Sequence, residues 1–403
     1  MATPTADLGS RIEELWPQRR TPIHAWLVHE AQRLPTAEHL LEQLGQRLIG
    51  EGVPLFRATF NLLTLHPQLR AVSLIWRRDR AGVETLRVEH GVELTDRYLN
   101  SPIRILFEGA AAVRQRLDIP GAPLPFPIYE ELRQEGATDY VAMPLVFSDG
   151  RSHGSTWATD RPGGFTSEHL ALIYDLLPLV VLILEARLTR RIARNLLETY
   201  VGLRSGERIL NGEIRRGTGE TLEAAIWYCD LRGFTAMSET LPGEELIATL
   251  NAYFERVVGP VEAAGGEVLK FMGDGMLAVF PVDQADAHCR AFTAAECAIE
   301  GMAALNRERR SAGLQALGFG IALHAGEVIF GNIGAPNRLD FTVIGPAVNQ
   351  AVRIEALCRD LGRPLLISAA FRASCPLDLV SLGRFGLKGV SEPAEIFGLR
   401  EAA

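Results

Sequence analysis

Between residues 36 and 170 the apolar positions change from a helical period to the two-residue period of strands. Leucines at positions 40, 41, 44 and 48 predict an amphipathic helix with Thr36 as its N-cap. Alternating runs on either side of Asp79–Gly82 and of Asp149-Gly150 predict two β-hairpins. We therefore expect an α+β domain over 36–170, preceded by an N-terminal arm over 1–35.

The apolar stretch that follows predicts a long helix, and its spacing indicates a contact between helices. Positions from Leu172 to Tyr200 recur at alternating intervals of four and three residues, forming a heptad seam whose one charged member is Arg190. Its most apolar run, Leu176–Leu184, is too short to cross a bilayer, so we expect no membrane span. We predict a coiled-coil signalling helix and connector over 171–222 that pairs two chains in parallel. A helix packed only on its own domain is the alternative.

From residue 223 onward, strands and helices alternate. The pattern predicts a strand over 224–229, a helix over about 243–263 and a hairpin over 267–280. Further short strands follow, and Pro346 stands at a favoured position for opening a helix. This half predicts a second domain over 223–403 with an α/β pattern, so the chain has two domains of mixed helix and sheet.

Composition narrows the function classes. The formal net charge of -8 argues against a nucleic-acid partner. Residues 1–16 lack the basic and apolar regions of a signal peptide. All five cysteines lie at position 229 or later without a CxxC pair, which favours a reducing environment over a disulfide framework. We therefore expect a cytoplasmic protein.

Two aspartates stand where the pattern predicts that strands end. Asp230 follows an apolar run, and Asp274 lies in Gly273-Asp274-Gly275 between the two apolar runs of the hairpin. Two carboxylates side by side suit Mg²⁺, which takes a few carboxylates together with substrate phosphates. Each aspartate alone is explained equally well as a turn residue.

Cationic and amide side chains provide a second group of candidates. Asn349 and Arg353 are four residues apart, so a helix places them on one face, where they suit a phosphate that gains charge in a transition state. A surface amide and a salt-bridging arginine explain them as well. Of the 41 basic residues only Lys270 and Lys388 are lysines, and lysine is not interchangeable with arginine in a tight site.

Five segments, in order along the chain, resemble the motifs of class III nucleotidyl cyclases. They are CDLRGFT, LKFMGDGMLAVF, GIALHAGEVIFGNIG, LDFTVIGPAVNQAVRIE and GLKGV. The resemblance covers about residues 220–399. It implies a catalytic domain with a central, mostly antiparallel sheet flanked by helices, acting as a homodimer. The element order over 36–170 is similar to a GAF-like domain, which implies a small-molecule or protein regulator.

The resemblance also implies metal ligands. Two ions, Mg²⁺ or Mn²⁺, would bind the carboxylates of Asp230 and Asp274. Backbone carbonyl groups of Ile226 or Leu231 would add contacts. His324, in the segment ALHAGEV, would be structural rather than a general base.

For the nucleotide, the resemblance assigns one task to each remaining candidate. Lys270 and Thr342 would select the base, and Asn349 would orient the ribose. Arg353 would stabilise the transition state, and Lys388 would hold the triphosphate end. The implied protein is an adenylate cyclase that converts ATP to 3′,5′-cyclic AMP and pyrophosphate by two-metal-ion catalysis at a homodimer interface.

Base chemistry agrees with ATP, and two other functions stay open. Lys270 can donate to adenine N1, whereas guanylyl members of the family carry an acidic residue there. Thr342 can accept from the adenine amino group, although many members carry aspartate at this position. The alternatives are a cyclase for GTP or a pyrimidine nucleotide, and a non-catalytic nucleotide-binding sensor. A sensor would not need Arg353.

Overall fold

The chain divides between Leu196 and Leu197 into two units. The computed structural model describes residues 21–282 and 286–400. The division differs from the predicted boundaries at 170/171 and 222/223. Most of the long helix packs on the first unit, and the connector packs on the second.

The first unit is built on one antiparallel sheet of six strands in the order β3-β2-β1-β6-β5-β4. Its strands are β1 (Leu55–Leu63), β2 (Leu69–Arg77), β3 (Val83–Glu89), β4 (Val113–Arg116), β5 (Asp139–Val146) and β6 (Ser152–Thr159). Its helices are α1 (Pro22–His29), α2 (Ala37–Gly50), α3 (Asp96–Leu99), α4 (Pro102–Phe107), α5 (Pro127–Gln134) and α6 (Ser167–Val201). Short 3-10 helices lie at Ala31–Arg33 and Val92–Leu94.

The predicted N-terminal arm belongs in part to this unit. Ile23, Trp26 and Leu27 on α1 are at most 2% exposed and lie in the same apolar core as α2 and α6. Burial of three large side chains stabilises α1 against the sheet, so residues 21–35 are not an arm. The first twenty residues lie outside the described residues. Thr36 caps α2 as predicted, accepting a hydrogen bond from the His39 amide.

A buried carboxylate fixes the segment that leads into α6. Asp139, which is fully buried, accepts hydrogen bonds from the Arg114 guanidinium at 2.7 Å and from the Phe165 amide at 3.0 Å. A Cβ at Gly164, whose φ is +70°, would lie 2.6 Å from the Asp139 carboxylate. Glycine is therefore required at this turn, because any side chain would displace the ion pair.

The first half of the heptad seam packs inside the first unit, while the second half does not belong to that core. Its members Leu176 and Ile183 are buried in the core of the first unit, with Leu172 and Leu179 packed against that core. These positions therefore serve the domain itself, as in the alternative considered above. Farther along α6, Arg190 and Tyr200 are exposed, and pairing of two chains there remains a prediction. The helix continues through the exposed Pro178.

Helix α6 is also the one helix of the described residues with the length and apolar composition of a membrane span. In its most apolar window 33% of the residues are buried inside the structure. A core helix has the same composition, and the buried positions of α6 pack in the apolar core of the first unit. The predicted lack of a membrane span therefore remains a prediction.

The second unit is an eight-stranded sheet in the order β13-β14-β12-β10-β7-β9-β8, with β11 paired to β10. Its strands are β7 (Gly219–Arg232), β8 (Glu267–Met272), β9 (Gly275–Pro281), β10 (Gly318–Ala335), β11 (Arg338–Ile344), β12 (Leu365–Ser368), β13 (Leu379–Phe385) and β14 (Ala394–Leu399). Its helices are α7 (Leu203–Leu210), α8 (Phe234–Thr240), α9 (Gly243–Ala263), α10 (Ala287–Ser311), α11 (Pro346–Asp360) and α12 (Ala369–Ala373). Only the β10–β12 pairing is parallel among the described strands, so the sheet is mostly antiparallel, as predicted.

Strands β7 and β10 form the central ladder of this sheet. They pair in antiparallel register from Arg232 opposite Gly318 to Gly219 opposite Gly331. The sequence predicts two separate strands over 317–323 and 327–330, with a turn between them, where the structure has the single strand β10. Pairing with β7 along the whole run from Gly318 to Gly331 keeps this segment extended.

The connector joins the sheet through one carboxylate. Glu267, the first residue of β8, accepts hydrogen bonds from the Ser205 amide at 3.1 Å and from the Ser205 hydroxyl at 3.2 Å. Gly202, at φ +92°, comes so close to β8 that a Cβ would lie 3.1 Å from the Val268 carbonyl oxygen. Helix α7 is thereby held against the strand that carries Lys270.

The expectation that all cysteines are thiols is wrong for one pair. Cys289 on α10 and Cys375 after α12 form a disulfide between residues 86 apart in sequence. The other three, Cys229, Cys297 and Cys358, are free. Spacing along the chain could not reveal this bond, because only the fold brings these two positions together.

Candidate active site

The structure brings Asp230 and Asp274 together, as the sequence predicts. Asp230 lies two residues before the end of β7, and Asp274 occupies the turn between β8 and β9. Because Cys229 pairs with Met276, the turn lies beside Asp230. The two carboxyl groups share a hydrogen bond, and burial together with the charge of Asp274 raises the pKa of Asp230 to about 7. A cation bound between the two carboxylates would offset the electrostatic repulsion between their negative charges.

A third carboxyl group, which the sequence analysis missed, lies behind this pair. Glu355 on α11 is 9% exposed, and burial followed by the charge of Asp230 raises its pKa to about 7. It occupies the space beside Gly320, the residue opposite Asp230, where a Cβ would lie 2.2 Å from its Oε1 atom. The available signal was an acid at an inward position of a helix that otherwise buries alanine and isoleucine.

Of the two backbone candidates, only one lies at the pair. Leu231 is adjacent to Asp230, beyond Cys229, where the β7–β9 ladder ends. Ile226 lies four residues upstream, about 13 Å along the strand, between Val279 and His324 in the two flanking ladders. The structure therefore separates Ile226 from the carboxylates, which corrects its assignment as a metal contact.

The donor set fits a hard divalent cation that also binds substrate. Within 21–282 and 286–400, no group of three or more His, Cys, Asp or Glu side chains could hold a metal ion. The Asp230–Asp274 pair is instead the partial set of ligands that Mg²⁺ completes with phosphate oxygens and water. The arrangement therefore fits a metal ion that is bound partly by substrate phosphate, rather than a metal site whose ligands all come from the protein.

The two base-selecting candidates lie on strands β8 and β11. The Lys270 ammonium is 3.2 Å from the Asp340 carboxylate, which joins the two strands. Thr342 is 3% exposed, and its hydroxyl has no hydrogen-bond partner among the described residues. A buried hydroxyl without a partner costs about 1–3 kcal/mol, so this position favours a polar ligand.

The phosphate candidates share the outer face of α11. Asn349 is exposed and Arg353 half-buried, and both lie on the side opposite the one packed on the sheet. The inward side consists of Ala347, Ala351, Ile354, Glu355 and Cys358. Arg353 extends toward the loop that carries Lys388, since a Cβ at Gly389 would lie 3.6 Å from its guanidinium. Within one chain, Asn349 and Arg353 therefore lie on the face of α11 that points away from the carboxylate pair.

His324 has a structural environment. It is 7% exposed, and its Nδ1 atom is 2.8 Å from the Ser368 hydroxyl, which also caps α12. Burial lowers its pKa to about 4. The imidazole is therefore neutral at physiological pH and links β10 to the start of α12.

Comparison with known proteins places this region in a family. Residues 218–368 match the adenylate and guanylate cyclase catalytic domain. An adenylate cyclase of Anabaena cylindrica is 34% identical over 195 residues, which are 47% of this chain and 37% of that protein. Adenylate cyclase 1 of Rhizobium meliloti (strain 1021) is 33% identical over 181 residues, 43% of this chain and 27% of that protein. The chain thus matches well under half of the length of these relatives.

One solved structure is also similar over part of the chain. The guanylyl cyclase Cya2 is 31% identical with a TM-score of 0.41, and the match covers 46% of this chain and 95% of that one. The family match spans strands β7 to β12, including both aspartates, Lys270, Asn349 and Arg353. The second unit of the chain therefore contains a region that matches the adenylate and guanylate cyclase catalytic domain.

Proposed function

We propose that the protein is an adenylate cyclase that converts ATP to 3′,5′-cyclic AMP and pyrophosphate. The observation that carries the proposal is the half-buried Asp230–Asp274 pair beside the end of the β7–β9 ladder. Two of the relatives are named adenylate cyclases, which supports the substrate. Guanylyl cyclases are also similar, so GTP is the competing substrate.

In this proposal, different candidate residues bind the base, the ribose and the phosphates of the nucleotide. Lys270 donates to adenine N1, and the Thr342 hydroxyl accepts from the amino group. Asn349 orients the ribose so that its 3′-hydroxyl meets the α-phosphate in line. Arg353 stabilises the charge that develops on that phosphate, and Lys388 holds the departing pyrophosphate.

Asp230 and Asp274, with the Leu231 carbonyl, would hold two Mg²⁺ or Mn²⁺ ions. Such ions activate a hydroxyl nucleophile and stabilise the departing phosphates. The chain itself supplies the two carboxylates and keeps them near the buried Glu355.

Product analysis on a nucleotide panel tests the activity. Purified full-length protein with Mn²⁺ and ATP should release cyclic AMP and pyrophosphate in equal amounts, with GTP, CTP and UTP turned over at least about tenfold more slowly. Asp230→Ala is the inactive control, because it removes a metal ligand. Cyclic GMP as the main product would reassign the substrate. Nucleotide binding without any product would show that the protein is a non-catalytic nucleotide-binding sensor.

We further propose that each active site is shared between two copies of the chain. Asn349 and Arg353 lie on the face of α11 opposite the one that packs toward Asp230, so one chain does not aim both sets at one nucleotide. A twofold dimer would bring the carboxylates of one protomer to the outer face of α11 of its partner, and would do so twice.

Mixing two inactive variants tests this arrangement. Asp230→Ala and Arg353→Ala homodimers should each be nearly inactive, because every site carries a lesion. A heterodimer has one site with both lesions and one intact site, so mixing should restore up to about half of the normal activity per heterodimer. Cyclic AMP production is measured against mixing ratio, with exchange followed by two different tags. Inactive heterodimers made of folded chains would show that the site lies within one chain.

The pH dependence of stability tests the carboxylate pair without any substrate. The pKa of Asp230 is raised from 3.8, so the folded state holds its proton to higher pH than the unfolded state does. Between these two pKa values, stability of the metal-free protein should fall as pH rises. Asp230→Asn should raise the apparent melting temperature by about 2–4 °C at about pH 8, and less at about pH 5.

Addition of Mn²⁺ completes this test. At about pH 8 the ion should raise the melting temperature of the unchanged protein but not that of Asp230→Asn, because a bound ligand stabilises the folded state. The exposed Glu239→Gln serves as the control and should behave like the unchanged protein. Equal metal stabilisation of all three proteins would remove Asp230 from the metal site.

We propose that the first unit is a GAF-like regulatory domain and that α6 transmits its state. Inserting one residue after Ala193 rotates the following helix by about 100° and should change basal activity severalfold. Inserting seven residues restores the heptad phase and should restore the activity. A one-residue insertion at Gly150, in the β5–β6 turn, is the control. Equal activity for all insertions would make α6 a simple tether.

We place the enzyme in the cytoplasm, because the reaction consumes ATP. The Cys289–Cys375 bond would be reduced in such a compartment. Fractionation of cells should recover the protein with soluble enzymes. Recovery in the membrane fraction would assign α6 to a bilayer instead.

A further inference from the structure

One ion pair near the base-selecting positions joins two strands that do not pair with each other through their backbones. Lys270 belongs to β8, which pairs with β9, and Asp340 belongs to β11, which pairs with β10. Their side chains nevertheless meet at 3.2 Å, with the lysine 32% and the aspartate 54% exposed. A pair this exposed contributes less than about 1 kcal/mol to folding stability, so folding alone does not explain it.

Strand geometry places this pair beside the threonine. Asp340 and Thr342 are two residues apart on β11, opposite Ile333 and Gly331 of β10, so their side chains leave the same face. The Asp340 carboxylate is exposed, whereas the Thr342 hydroxyl is buried without a partner among the described residues. The lysine ammonium therefore sits on the same face as the unpaired hydroxyl, about two residues away.

Threonine cannot select a base by itself. Its hydroxyl both donates and accepts, so it can accept from the amino group of adenine or donate to the carbonyl oxygen of guanine. A lysine on a flexible four-carbon stem has the same freedom, because its ammonium could move from adenine N1 to the guanine carbonyl oxygen. Selection for adenine therefore requires that the ammonium be held in one place.

We propose that Asp340 is a positioning residue that fixes the Lys270 ammonium for adenine and so sets the preference for ATP over GTP. This rests on the adenylate cyclase activity proposed above. The carboxylate accepts one of the three ammonium hydrogens and restricts the stem, which leaves the remaining hydrogens directed along the face shared with Thr342. Asp340 acts through Lys270 and does not itself contact the reacting atoms.

The test compares ATP and GTP in full-length Asp340→Asn. This variant keeps the size of the side chain but loses the charge that holds the ammonium. The ratio of kcat/KM for ATP to that for GTP should fall about tenfold, chiefly through a higher KM for ATP and a lower KM for GTP. The kcat for ATP should stay within about twofold, since the phosphate-binding residues are unchanged. Asp340→Glu should recover most of the ratio.

A matched control is Asp378→Asn, which removes an exposed carboxylate paired with Arg400 in the same unit and should leave the ratio unchanged. Circular dichroism and melting verify folding, and Asp340→Thr replaces the asparagine variant if that one unfolds. An unchanged ratio in a folded variant, or equal loss of kcat for both nucleotides, overturns the inference alone. Unchanged protein that prefers GTP or makes no product overturns the proposed function, and the inference with it.

Discussion

The antiparallel ladder between β7 and β10 is the constraint on which the rest of the second unit depends. It runs from Gly318 to Gly331 of β10 without a register shift, so one registration sets the position of every neighbouring strand. One side of the ladder receives β9 and therefore the turn with Asp274. The other side receives β11, with Asp340 and Thr342. A slip of one residue between β7 and β10 would turn every side chain of the slipped strand to the opposite face. It would also displace Asp274 on one side relative to Asp340 and Thr342 on the other.

Sequence patterns were most informative where local chemistry decides the structure. The Gly273-Asp274-Gly275 turn and the helix over 243–263 agree with the observed turn between β8 and β9 and with α9. Both have strong local signals, a turn motif and a regular apolar spacing. For the same reason the adjacency of Asp230 and Asp274 could be anticipated from the chain.

Long-range features were harder to predict. Strand β1 and helix α8 were missed, and β10 was divided in two, because their conformation depends on neighbours that are remote in sequence. The disulfide, the burial of Glu355 and the seam of α6 inside its own domain share this origin. Ile226 was assigned by analogy with a motif, and only the register showed that it lies in the middle of the sheet.

The contact between Ser205 and Glu267 has a mechanical consequence. Glu267 begins a strand of six residues at the edge of the sheet, and the ladder with β9 shifts register just before Lys270. An edge strand has one hydrogen-bonded neighbour, so side-chain contacts such as this one and the Lys270–Asp340 pair add to what holds it in place. Through Ser205, the Glu267 carboxylate joins the first turn of α7 to the start of β8. The Ser205 contact and the register shift together fix where the backbone of β8 stands just before Lys270, so the position of this lysine depends on the connector as well as on the sheet.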